Sequence, residues 1–327
     1  MWPAIFISLI AFSVAALTVG WLARSRAARL ALDKPNARSL HTTPVPRTGG
    51  IGLLLGVAAG WAYATPQMPW GFWTALALLI AVSLLDDLRG LSAAVRLATH
   101  LLAAALAAVT LIDVQESILL LAVAALAIGW MCNLYNFMDG SDGLAGGMAV
   151  SGFLAYAAAA WLAGSTQFAL LNLAVAAAAA GFLLYNFHPA RIFLGDAGAV
   201  PLGFLAAAFG ITGWLQHDWT WWFPLLVFSP FIVDASVTLA RRLLSGARVW
   251  EAHRDHYYQR LVQLGLGHRG TAFAEYALMT ACGLAALWIM TLAATLQYVA
   301  LAATGLLYVG LIAVIERAWR AQRARHV

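Results

Sequence analysis

Acidic residues recur in this chain as glycine-flanked groups: Asp86-Asp87 in DDLRG, Asp139 and Asp142 in NFMDGSDGLAGG, and Asp196 in FLGDAG. Carboxylates with backbone freedom beside them suit a hard cation. Mg2+ uses one or two carboxylates, retains waters and fills its remaining positions from substrate phosphates. Glycine also lets backbone amides approach phosphate oxygens closely, so the pattern points to a diphosphate substrate. An isolated Asp-Asp pair reads equally well as a solvated loop, and it is the repetition that favours a site. A second group is basic. In EAHRDHYYQRL, His253, His256 and Arg260 fall at spacings of three and four, flanked by Arg254 and Gln259; on a helix they would share a face. Histidine there could donate to a phosphate, ligate a metal or act as a base. The competing reading is a basic interfacial helix anchored by Tyr257 and Tyr258. Arg38, His41 and Arg47 lie in DKPNARSLHTTPVPRTGG, where Pro44, Pro46 and a Gly-Gly pair suggest a fixed loop shape. Asp234 is expected to face a polar cavity or to partner Arg241 or Arg242, while His100, His188 and His217 read as structural.

The elements that must carry these groups are apolar. With 327 residues, 63% of them hydrophobic and 10% charged, the composition excludes a soluble globular domain and indicates a polytopic, all-α membrane protein. Eleven windows long enough to be membrane helices fall near 2–22, 49–65, 70–85, 95–112, 117–135, 145–163, 168–186, 198–215, 221–240, 272–293 and 297–316. The first lacks a basic leader and a small-residue cleavage motif, so it reads as a retained helix. Cys132 and Cys282 have no metal-ligand spacing and read as small core residues. The net charge of +5 does not form a soluble patch, which argues against nucleic acid as a partner. All 19 Lys and Arg residues fall in alternate connections and the C-terminus. The positive-inside rule makes that side cytoplasmic, with the N-terminus periplasmic. Eleven of the acidic residues share that side.

Assembled in order, these segments resemble the polyprenyl-phosphate N-acetylhexosamine-1-phosphate transferases, glycosyltransferase family 4. The match runs through DKPNARSLHTTPVPRTGG (33–50), DDLRGLSAAVR (86–96), NFMDGSDGLAGG (136–147), NFHPARIFLGDAGAVPLG (186–203) and DASVTLARRLLSG with HRDHYYQRL (234–261). The resemblance implies one transmembrane transferase domain spanning 1–327, its active site formed by cytoplasmic loops 23–48, 86–96, 136–147, 186–198 and 241–271. The implied reaction moves an N-acetylated amino-sugar-1-phosphate from a UDP-sugar, UDP-GlcNAc or a related N-acetylhexosamine, 6-deoxy forms included, to undecaprenyl phosphate at the bacterial inner membrane and releases UMP. Mg2+ is the implied cofactor, with Mn2+ as a substitute, and a homodimer is an open expectation.

By motif, Asp86, Asp87, Asp196 and His256 are the implied catalytic residues, and Asp196, Asp87 and Asp139 the implied metal ligands. Arg38, His41, Arg47, Arg96, Asn136, Asp139, Asp142, Asn186, Arg191, His253, Arg254 and Arg260 are the implied substrate-binding set, with Asp142 meeting the uracil. Two positions depart from the pattern. Arg96 stands where relatives commonly carry lysine, and His256-Tyr257-Tyr258-Gln259 replaces an H-x-H-H cluster, a variant that resembles the O-antigen or capsule-initiating branch. A phosphate monoester has lost most of its second proton at pH 7, so a strong base is not obligatory. A secondary transporter is the alternative from another class, but such proteins bind near the midplane and often show internal repeats, whereas here the carboxylates gather on one side and no repeat is evident.

Overall fold

A computed structural model describes residues 2–25, 31–33, 35, 40, 43–113, 117–248 and 253–325. Arg38 and His41 lie outside the described residues. Helix α1 (Trp2–Arg24) is followed by two short paired strands, β1 (Leu32–Asp33) and β2 (Val45–Pro46), and then by α2 (Gly49–Ala64) and α3 (Trp70–Arg89). Next come α4 (Ala93–Leu111), α5 (Ile118–Phe137), α6 (Leu144–Leu162), α7 (Thr166–Asn186) and α8 (Asp196–Leu215). The chain ends with α9 (Phe223–Val227), α10 (Ser229–Leu244), α11 (Tyr257–Leu261), a π-helical turn (Val262–Leu266), α12 (Gly267–Ile289) and α13 (Ala294–Ala324).

Every apolar window of the sequence falls on helix, and the chain is an all-α polytopic membrane protein. Among the described residues, nine helical stretches are long and apolar enough to cross a bilayer. The other two windows differ in detail. Helix α2 has 16 residues, about 24 Å at the α-helical rise. The ninth window is divided into α9 and α10 because Pro230, at the start of α10, has no N–H to continue the ladder.

Helix α8 is the most enclosed of the candidate spans and α13 the least. Side chains of α8 that are fully buried include Phe204, Leu205 and Phe209, and Phe72 of α3 packs on Phe204 and Phe209 at ring separations of 5.3 and 5.8 Å. Small residues set the approach of α2 to α8. A Cβ on Gly50 would stand 2.4 Å from the Gly198 Cα, so glycine is needed for the backbones to touch. Their proximity lets Gly49 N–H and Gly50 N–H donate to the Phe193 and Leu194 carbonyls at 2.9 and 2.8 Å. Phe193 N–H in turn donates to the Pro46 carbonyl at 2.7 Å.

Because successive helices run in opposite directions, the turns after α1, α3, α5, α7 and α10 meet at one end of the bundle, joined by the C-terminal third of α13. Contacts between these segments pair Arg47 with Asp87, Asp142 with His188, Tyr258 with Phe137 and Arg260 with Glu316. Nearly all the motif residues are therefore brought to the same end by topology.

Candidate active site

Asp86 and Asp87 occupy the last turn of α3, and both are buried. Adjacent residues on a helix diverge by about 100°, and the two carboxylates do different things. Asp87 reaches the start of α8: its Oδ2 accepts from Ala197 N–H at 2.9 Å and its Oδ1 from Asp196 N–H at 3.2 Å. Four amides at a helix N-terminus lack intrahelical partners and carry partial positive charge, so a carboxylate placed there is stabilised. Arg47 adds its Nε at 3.6 Å and donates from Nη2 to the Asp87 carbonyl at 3.2 Å. Gly195, just before α8, has φ +73°, and a Cβ there would lie 2.3 Å from the Arg47 carbonyl oxygen and 2.9 Å from Asp87 Oδ2. The cap closes only because position 195 has no side chain.

Asp86 turns toward α4. Its Oδ1 accepts from Leu91 N–H, and its Oδ2 accepts from Arg96 Nη1 at 3.1 Å. The same Arg96 nitrogen is 3.6 Å from Asp196 Oδ2, so one guanidinium joins the ends of α3 and α8 through two carboxylates. Arginine at this position presents a planar fork of donors.

Asp139 completes the group from the turn after α5. Burial pushes its carboxyl well above the usual carboxylate range, and the Asp196, Asp87 and Asp33 carboxylates around it act in the same direction. Asp33, on β1, was not singled out in the sequence. Acidic groups from four segments thus crowd one point, and a cation bound there would relieve the repulsion. Among the described residues no three His, Cys, Asp or Glu side chains form a closed metal cage. An open set of one or two carboxylates, finished by water and phosphate, is the arrangement Mg2+ uses, and a pair drawn from Asp196, Asp87 and Asp139 could supply it.

The Asp142 side of the same turn is engaged differently. Asp142 Oδ2 sits 2.6 Å from His188 Nδ1 and accepts from Ala190 N–H at 3.1 Å. His188, which precedes a cis proline, stacks on His268 with ring centroids 5.5 Å apart and planes 7° from parallel. His268 Nδ1 is 2.9 Å from Ser141 Oγ. Sequence reasoning missed His268 and took His188 as merely structural; the only local signal for His268 is its glycine-flanked position in GHRG.

Asn186 has a role other than substrate contact. It is buried, its Oδ1 accepts from Gly143 N–H at 3.0 Å, and its Nδ2 donates to the Ile192 carbonyl at 3.0 Å. Both ends of the amide are spent on backbone, so it splices the turn after α5 to the turn after α7. Asn136 caps the same region, its carbonyl accepting from Asp139 N–H at 3.2 Å. Arg191 is exposed beside it, with no ion-pair partner among the described residues.

The histidine segment departs from the single helical face expected of it. Residues 253–255 are not helical, and α11 begins only at Tyr257. His253 and His256 nevertheless stack, with centroids 4.9 Å apart, and the pair abuts Phe137 through His256 at 6.3 Å. Burial, with His256 and Arg242 nearby, lowers His253 to about 4, so it is neutral at physiological pH. Asp234 does not pair with Arg241 or Arg242. Its Oδ1 accepts from Tyr257 N–H at 2.9 Å and lies 3.1 Å from His256 Nδ1, and its Oδ2 accepts from Tyr258 N–H at 2.9 Å. A carboxylate of α10 therefore caps α11 and orients His256. Tyr258 then ties α11 to the acidic turn, donating its hydroxyl to the Phe137 carbonyl at 3.1 Å in space kept open by Gly140. Arg254 is half-buried near this segment. Arg260, expected among the substrate contacts, is buried and pairs with Glu316 at 2.6 Å.

What results is a surface with two kinds of charge: a crowded acidic centre, and the cations Arg47 and Arg96 against it. Such a surface can hold a divalent cation and anionic phosphates together. Comparison with known proteins agrees with this chemistry. The family model described as Glycosyl transferase family 4 matches residues 69–214, a span that contains Asp86 through Asp196 but not the histidine segment. A probable undecaprenyl-phosphate N-acetylglucosaminyl 1-phosphate transferase of Bacillus subtilis (strain 168) is 30% identical over 265 residues, 75% of this chain and 74% of that protein. A decaprenyl-phosphate N-acetylglucosaminephosphotransferase of Mycobacterium leprae (strain TN) is 28% identical over 295 residues, 75% of this chain and 73% of that protein. A phospho-N-acetylmuramoyl-pentapeptide-transferase of Staphylococcus saprophyticus is 32% identical over 157 residues, 48% of each chain.

Proposed function

Because this chain belongs to glycosyl transferase family 4, the polyprenyl-phosphate N-acetylhexosamine-1-phosphate transferase superfamily, we propose that it transfers N-acetylhexosamine-1-phosphate from a UDP-sugar to undecaprenyl phosphate. UDP-GlcNAc is the first donor to test, since relatives are named for N-acetylglucosaminyl phosphate transfer. The product would start a lipid-linked surface glycan, O-antigen or another polysaccharide. The enzyme would lie in the bacterial inner membrane with the acidic end of the bundle facing the cytoplasm, where the basic residues of the chain gather.

The observation that carries this reading is the joining of Asp86, Asp87 and Asp196 by Arg96, Arg47 and the α8 N-terminus, with Asp139 beside them. Phosphoryl transfer depends mainly on positioning and on neutralising charge, and two anions must meet here at a membrane surface. Mg2+, held by a pair drawn from Asp196, Asp87 and Asp139, would supply the charge neutralisation for the diphosphate. A lipid-phosphate oxygen attacks the β-phosphorus of the nucleotide sugar, the bond from that phosphorus to the bridging oxygen breaks, and UMP leaves. Arg96 bridges the neighbouring Asp86 and Asp196 carboxylates in fixed orientation, and Asp86 or Asp87 would accept the proton from the fraction of lipid phosphate that still carries one. Asp142, oriented by His188, and exposed Arg191 line the side of the site assigned to the nucleotide. His256, whose Nδ1 is held by Asp234 and whose ring lies near Phe137, would donate to phosphate through Nε2 in its protonated form.

The test is purified protein incubated with undecaprenyl phosphate, Mg2+ and a panel of UDP-N-acetylhexosamines. UMP release that requires both lipid phosphate and metal, and stops with EDTA, is the expected outcome. No release from any donor refutes the proposal.

A further inference from the structure

The C-terminal helix α13 has 31 residues, none of them fully buried; Ala300 and Leu301 pack against the core, and the Tyr308 hydroxyl lies 2.7 Å from Ser229 Oγ. Its attachment at the active-site end is ionic. Glu316 Oε1 receives three donors: Arg241 Nη1 from α10, Arg260 Nη1 from α11 at 2.6 Å, and the Tyr257 hydroxyl from α11 at 3.2 Å. Arg241 Nη1 also donates to the Tyr257 hydroxyl at 2.8 Å. The Arg260 guanidinium lies over the Tyr257 ring at 5.3 Å and over the Trp319 ring at 5.5 Å. One helical turn further on, Gln322 Nε2 donates to the Gln263 carbonyl at 3.2 Å.

Helix α11 needs such support. Five residues make too few internal hydrogen bonds to hold a helix in place. Asp234 holds its N-terminus from the α10 side, and Glu316 holds Tyr257 and Arg260 from the α13 side. His256, immediately before Tyr257, is oriented by whatever fixes α11. We infer that Glu316 is a positioning residue that latches α11 between α10 and α13 and so sets the place of His256 at the active site. The effect on turnover rests on the transferase reading; the latch itself does not. Removing the Glu316 charge would leave the buried Arg260 guanidinium without its carboxylate and next to the half-exposed Arg241, and the uncompensated charge would push α11 out of register.

The experiment compares wild type with Glu316→Gln by hydrogen–deuterium exchange and by steady-state UMP release. Amides of residues 256–263 are expected to exchange about tenfold faster in the variant, with α5 and α8 unchanged. Turnover is expected to fall about tenfold or more while KM for lipid phosphate and UDP-sugar stays within about twofold, because Glu316 touches neither substrate. The charge-swapped pair Glu316→Arg with Arg260→Glu is expected to recover protection that each single change loses. Unchanged exchange at 256–263, or a raised KM at constant turnover, overturns the latch. Faster exchange with no turnover in wild type on any donor supports the latch and defeats the transferase reading instead. If Glu316→Gln does not yield folded protein, Tyr257→Phe removes one arm only: faster exchange at 256–263 supports the latch, and unchanged exchange overturns it.

Discussion

Replacing Asp87 with Asn separates two roles that the geometry makes available to this residue. Asp87 accepts two amide hydrogens at the start of α8 and stands beside Arg47. Asparagine offers one acceptor oxygen, so either Asp196 N–H or Ala197 N–H loses its partner to an NH2 group. A hydrogen bond to a charged group contributes about 1.5–3 kcal/mol, and a carboxylate at a helix N-terminus about 0.3–1 kcal/mol more. The expected cost is therefore roughly 2–4 kcal/mol. If that energy is lost from the conformation that places Asp196, rate falls by about 30- to 1000-fold at 1.4 kcal/mol per factor of ten. The loss should hold from pH 7 to 9, where the capping carboxylate is ionised, since the cap is needed whether or not the lipid phosphate carries a proton. A residue acting only as a base behaves differently: its removal is felt mainly below about pH 6, where the phosphate monoester holds its second proton. The assay is initial UMP release between pH 5.5 and 9, with thermal unfolding followed in parallel. A variant that unfolds with wild type and matches its rate at alkaline pH would refute the capping argument and favour the base role.

Other substitutions probe neighbouring parts of the site. Gly195→Ala forces a side chain onto the Arg47 carbonyl at positive φ, so it should abolish activity while Gly164→Ala, in open space on a distant turn, leaves activity unchanged; equal rates would show that the close approach is not needed. Asn186→Asp keeps the acceptor for Gly143 N–H but loses the donor to the Ile192 carbonyl, which should lower thermal stability by about 1–3 kcal/mol, measured by denaturation in detergent. His253, lowered to about 4, is neutral in the fold from pH 7 down to about 5, whereas the unfolded chain begins to bind a proton near 6.5. The unfolded state thus takes up more protons as pH falls from 6.5 to 4, and stability should decline across that window. His253→Gln should flatten the decline, and an unchanged slope would contradict the assignment.

Much of the architecture was legible in the sequence because a bilayer imposes one simple demand on every span. Runs of apolar residues have to be helical to satisfy their backbone groups, and all eleven windows fall on helix. The break between α9 and α10 could be read only from Pro230 and was not. Gathering of Asp86, Asp87, Asp139, Asp142 and Asp196 at one end followed from counting spans, since alternation assigns each turn to a side.

Which partner each group takes was a different matter, because it depends on contacts between segments far apart in the chain. Asp87 and Asp86 are neighbours in sequence, yet one caps α8 and the other binds Arg96. Asn186 looked like a substrate contact and is a backbone splice. Arg260 looked like part of a histidine face and pairs with Glu316, a residue 56 positions away. His268 gave almost no local signal, and it stacks on His188 beside Asp142. Local composition determined that this chain would be a helical membrane protein with carboxylates and cations on one side; helix rotation and close approach, permitted at Gly50, Gly195 and Gly198, decided which carboxylates face one another. Those angles arise from packing of whole helices, and no short stretch of sequence encodes them.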